Sequence, residues 1–177
     1  TIFVLGISLI LSNGCDIIDA LESYQANIAG SVDVNPSGND AVIVDSEFFC
    51  LSDNDTYQDY ADKVESIEFA KAAFRTNPAY SGDVRGNITV TLAPSVGSAI
   101  TRTITNANPA DYISTPYELE LTESELTALN DNLQTQLEAG FDICINASVS
   151  ITITSGTPPY AVDGVVDYNF IADINLE

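Results

Sequence analysis

Polar and apolar residues alternate along most of this chain. Tyr24, Ala26, Ile28, Gly30, Val32 and Val34 interleave with Gln25, Asn27, Ala29, Ser31 and Asp33, the period of two expected of a strand with one buried and one wet face. The same period returns in residues 87–92, runs without a fault through residues 141–153, and recurs in residues 162–176. Apolar-rich runs at residues 41–51, 64–76, 98–105 and 112–121 complete a set of about eight strands. Pro116 interrupts the last of these, which places it at a sheet edge, because proline has no N–H to give to a ladder. Asn35-Pro36-Ser37-Gly38, the loop from Asn77 to Gly82, Ala93-Pro94-Ser95-Val96-Gly97 and Ser155-Gly156-Thr157-Pro158-Pro159 supply the turns.

Two segments break the period and predict short helical crossovers. Residues 53–63 offer N-cap residues, with Tyr57, Tyr60 and Val64 at helical spacing. Residues 122–138 give the clearest helix. Thr122 and Glu125 form a capping box, Leu126, Leu129, Leu133 and Leu137 make one apolar stripe, and Gly140 stands at the C-cap. Long strands with one wet face belong to antiparallel sheets. The pattern therefore predicts an all-β, antiparallel, immunoglobulin-like β-sandwich, without the Cys…Trp…Cys signature, since the chain holds no Trp.

The first fifteen residues, TIFVLGISLILSNGC, follow a different rule. Residues 2–11 are almost wholly apolar, too short a run to span a bilayer core, which needs roughly 20 residues of helix. Leu11-Ser12-Asn13-Gly14-Cys15 follows at once. Here the chain is similar to bacterial lipoprotein precursors, whose lipobox sets a Leu-like residue and small residues before the lipidated cysteine. That resemblance implies an export signal over residues 1–14, lipidation of Cys15 and a membrane anchor through its acyl chains. Residues 15–22 then read as a tether and 23–177 as a single domain. Read instead as a strand, residues 1–12 put Phe3, Leu5, Ile7, Leu9 and Leu11 on one face, suited to donation into a neighbouring subunit's sheet.

Charge narrows the partners. With 26 acidic and five basic residues the net charge is −21, which argues against nucleic acid and anionic lipid surfaces. The acids are scattered, as on a solvated, self-repelling surface. Asp53, Asp55, Asp59 and Asp62 invite a calcium reading, but the glycine and closing glutamate of an EF-hand loop are missing, so capping and solvation account for them better. With Cys15 set aside, Cys50 and Cys144 remain as an even pair that a disulfide can join in an oxidising compartment. Both fall in predicted strands; against the pairing, Cys144 sits on the polar face of its strand while Cys50 follows apolar positions. Asn54, Asn87 and Asn146 begin N-x-[ST] sequons.

No histidine occurs, which removes the usual neutral-pH general base and the commonest transition-metal ligand. No nucleophile elbow, phosphate loop or dinucleotide fingerprint is present either. The expectation is a non-enzymatic, exported, lipid-anchored envelope or surface protein with no cofactor. It would bind a protein or glycan partner as a binding or assembly module. The competing expectation is a subunit of an extracellular filament, built from copies of itself by donation of residues 1–12 or 24–34.

Overall fold

The computed structural model describes residues 23–176. Ser23–Val34 (β1), Ser37–Gly38 (β2) and Val42–Cys50 (β3) come first. A 3-10 turn, Leu51–Asp53, leads to a one-turn helix, Asp55–Gln58 (α1). Val64–Thr76 (β4), Arg85–Pro94 (β5) and Ile100–Ala107 (β6) follow. A second 3-10 turn at Pro109–Tyr112 precedes Tyr117–Glu118 (β7) and Glu123–Glu138 (α2). Cys144–Ser155 (β8), Tyr160–Ala161 (β9) and Gly164–Asn175 (β10) end the described chain.

Ten strands make two four-stranded sheets, ordered β1-β10-β4-β7 and β3-β8-β5-β6, plus a two-stranded β2-β9 ribbon. Every pairing is antiparallel. The all-β antiparallel sandwich is thus present, and its strand order refines its kind. Leaving out the ribbon, the eight strands pass from sheet to sheet, except at the β5–β6 hairpin, as two interlocked Greek keys, a jelly-roll order, where an immunoglobulin domain would set ABED against CFG.

The inner faces supply the core. Ile28, Ile67, Phe74, Phe170 and Ile174 from the first sheet meet Ile88, Leu92, Ile145 and Ile151 from the second, all fully buried. Each such side chain stabilises the fold by about 1.5–3 kcal/mol. Phe49 stacks on Tyr168 and Phe170, with centroids at 5.3 and 5.8 Å. Its ring lies on Gly30, where a β-carbon would collide with it. That close approach explains a glycine in mid-strand.

One side of the sandwich is closed and the other open. On the closed side, α2 lies along β4, with Leu129 and Leu133 buried and Leu126 and Leu137 half-buried. The helix also answers the edge of β4. Asn130 Oδ1 accepts from Phe69 N–H (2.9 Å), and Gln134 Nε2 donates to Glu65 O (3.2 Å). Thr122 and Glu125 form the expected capping box, and Gly140 takes φ +69° after the helix. The predicted strand over 112–121 shrinks to the two residues of β7, because Asn108 and Pro109 start a 3-10 turn instead. Phe141 lies outside β8 and is 68% exposed.

On the open side, β3 ends its sheet. Leu51 N–H donates to Ile143 O and Ile153 N–H to Ala41 O. With this register, odd-numbered residues of β3 bond to β8. The backbone groups of Val42, Val44 and Ser46 therefore turn to the edge. β1 ends the other sheet, and Asn54 Nδ2 covers part of it by donating to Ala29 O at 2.8 Å. All of residues 23–34 pair with β10 of the same chain. Within the chain, then, the segment 24–34 expected as a donated strand is paired with the C-terminal strand β10.

Candidate binding cleft and the uncharged face

Facing solvent, the β1-β10-β4-β7 sheet holds a cleft of about 470 Å³. Two rows of outward residues build it. Ala29, Asn169 and Lys71 lie side by side across β1, β10 and β4, and Ser31, Asp167, Ala73 and Glu118 make the next row out to β7. The small side chains of Ala29, Ser31 and Ala73 leave the hollow, and Pro116 closes one end. An irregularity in the β4–β10 register beside Asn169 sharpens the bend here.

The cleft's polar groups are unevenly committed. Asp167 is held by Arg75, whose Nε and Nη2 donate at 2.7 and 3.2 Å; this bond raises the guanidinium's already high pKa. Asn169 Oδ1, by contrast, is buried and has no hydrogen-bond partner among the described residues. A buried acceptor left empty costs about 1–3 kcal/mol. Lys71 and Glu118 stand exposed at the cleft on the neighbouring strands β4 and β7. The cleft thus presents one unanswered amide acceptor, an ammonium, a hydroxyl and carboxylates over a floor of methyl groups. This arrangement suits a small ligand with several neutral hydroxyls.

The outer face of the second sheet differs in kind. β6 contributes Thr101, Thr103 and Thr105, and β5 contributes Asn87, Thr89 and Thr91. β8 adds Asn146, Ser148, Ser150 and Thr152. Thr89 pairs with Thr103, and Thr91 with Thr101, each hydroxyl to hydroxyl at 3.1 Å. On β3 the outward residues are Val42, Val44, Ser46 and Phe48, with Val42, Val44 and Phe48 exposed by 51, 60 and 60%. None of these side chains carries a charge.

The residues singled out from the sequence divide as follows. Cys50 and Cys144 are directly paired across β3 and β8 and joined by a disulfide, with S–S 2.03 Å and Cα–Cα 4.1 Å. They lie at one end of the uncharged face. Asp142 is near both sulfurs, but each sulfur is taken by the other, and Asp142 accepts from Ser52 Oγ at 2.5 Å. Asp53, Asp55 and Asp59 are exposed around α1 and do not converge as a metal-ligating group. Asn54 caps α1, accepting from Tyr57 N–H at 3.1 Å. Asn87 and Asn146, the other two sequons, stand on the uncharged face. Phe3, Leu5, Ile7, Leu9, Leu11 and Cys15 lie outside the described residues. The cleft had no counterpart in the sequence reading. Its one legible trace was a run of small residues, Ala29-Gly30-Ser31, inside a long strand.

No family model matches the chain, and no curated protein matches it in sequence. Among solved structures, a chain of Desmodium yellow mottle tymovirus aligns at 8% identity and a TM-score of 0.40, covering 98% of this chain and 97% of that one. A tobacco necrosis virus chain aligns at 13% and 0.37, covering 87% and 98%. A chain from the semi-empty VLP of the giant freshwater prawn Macrobrachium rosenbergii nodavirus aligns at 8% and 0.40, covering 86% and 95%. Likenesses this distant decide nothing about kinship or role, and the jelly-roll assignment rests on the strand order alone.

Proposed function

We propose that the chain is an exported, non-enzymatic surface module, anchored through Cys15, that binds a neutral polyhydroxylated ligand such as a glycan in the β1-β10-β4-β7 cleft. The observation that carries this reading is Asn169 Oδ1, a buried acceptor without a donor among the described residues, on the wall of a concave surface. A sugar hydroxyl would satisfy it, while Lys71 and Glu118 offer a donor and an acceptor to neighbouring hydroxyls. The disulfide and the apolar leader before Cys15 both suit an oxidising, extracytoplasmic setting.

Titration calorimetry with a panel of neutral oligosaccharides tests the reading. Binding that is lost in Asn169→Leu, and in Ser31→Trp, which fills the hollow, supports it, provided both variants melt near wild type. An absence of binding across the panel, or binding unchanged by Ser31→Trp, would refute the cleft as the site.

A further inference from the structure

We propose that the outer face of the β3-β8-β5-β6 sheet is where a second copy of this chain docks, face to face. The inference does not depend on the cleft's ligand.

The first ground is charge. Two copies each bearing −21 repel wherever carboxylates meet carboxylates. A patch that meets its own image about a two-fold axis escapes this repulsion if it is neutral. The Ser/Thr/Asn array is such a patch, and its hydroxyls both donate and accept, so like can pair with like. Val42, Val44 and Phe48, along one border of the array, add apolar surface that docking would remove from water.

The second ground is the edge of β3, which argues against the other way two sandwiches could join. Its remaining inner-face positions between Ile43 and Phe49 are Asp45 and Glu47, both charged. Inward-pointing charges on a terminal strand guard it against pairing with another strand. The exposed apolar residues of β3, Val42, Val44 and Phe48, point outward from the sheet, toward a partner stacked on the face.

The third ground is area. Four strands about 4.8 Å apart, with outward residues every 6.7 Å or so over four rows, present roughly 500 Å². Two copies would bury about 1,000 Å² together, at the lower limit for a specific interface. The dimer should therefore be weak and reversible.

Sedimentation velocity of the full chain, over a range of concentration and salt, is the test. The expected result is a concentration-dependent dimer that strengthens with added salt, because salt screens the repulsion between the two acidic bodies. Thr152→Asp, which sets a carboxylate in the array, should weaken it about tenfold or more, and Phe48→Ser should weaken it too. Gln25→Asp on the other sheet should not. A chain that stays monomeric under all conditions overturns the proposal. So does a dimer indifferent to Thr152→Asp and Phe48→Ser. Hydrogen-exchange protection of the Val42, Val44 and Ser46 amides on dimerisation would show edge pairing instead. A glycan found on Asn146 by intact mass would cover the face and equally overturn it.

Discussion

The two sheets turn similar faces inward and unlike faces outward. Inside, each presents Ile, Val and Phe in alternation, and the two sets interleave into one core. Outside, the β1-β10-β4-β7 sheet carries Lys71, Arg75, Asp167 and Glu118 around a hollow, whereas the β3-β8-β5-β6 sheet carries hydroxyls, amides and a strip of Val and Phe. The inner faces are constrained by packing, and outward residues on a sheet are far less so. The contrast between the outer faces is what the two proposals rest on, small-ligand binding on one face and docking of a second copy on the other.

Truncating an inner residue should cost far more than altering an outer one. Phe170→Ala removes a ring packed against Phe49 and Phe69 and should cost about 3–5 kcal/mol in urea unfolding. A cost under about 1 kcal/mol would mean that the core is not shared between the sheets as described. The disulfide is the exception among outer-face features. Cys50 and Cys144 stand 94 residues apart in the chain, so the bridge constrains a long loop of the unfolded state. Replacing both by Ala should lower stability by about 2–4 kcal/mol. Equal stability of the bridged and replaced chains would contradict that.

Acid should loosen the closed side selectively. The Arg102 guanidinium, at 2.5 Å, together with the Thr122 N–H and hydroxyl, holds the Glu125 carboxyl down at about 2 against an ordinary 4.5. A depressed acid contributes stability that is complete above its unfolded pKa and is lost as pH falls through its folded one. Wild type should exceed Glu125→Gln in denaturation midpoint at neutral pH. The gap should shrink from pH 4.5 down to about 2; a gap constant over that window would remove the ion pair and capping box from the account. Smallest of all, Thr89→Val deletes one exposed hydroxyl pair with Thr103 and should cost only about 0.2–1 kcal/mol.

Much of the fold was legible in the sequence because its signals are local. The alternation of β1, β8 and β10, the capping box at Thr122 and the stripe of leucines all act within a few residues. The strand order was not legible, since β1 and β10 meet across more than a hundred residues and many pairings satisfy the same alternation. β3 misled in a more instructive way. Three of its outward positions are Val42, Val44 and Phe48, while its inward ones include Asp45 and Glu47 beside the buried Ile43 and Phe49, so apolarity does not tell its two faces apart. Read by hydrophobic phase, Cys50 belongs on the side opposite Cys144; read by register, the two share a face and face each other directly. The cleft stayed hidden because it depends on which small residues fall side by side across three strands.

The claim that the two outer faces do different work is most directly tested by amide-resolved NMR as a binding neutral oligosaccharide is added to dilute protein. Shifts should appear at Ala29–Ser31, at Lys71 and at Asp167–Asn169, and Thr89, Thr101 and Ser150 should stay still. Shifts confined to the threonine array, with the cleft unmoved, would contradict the assignment of the two faces.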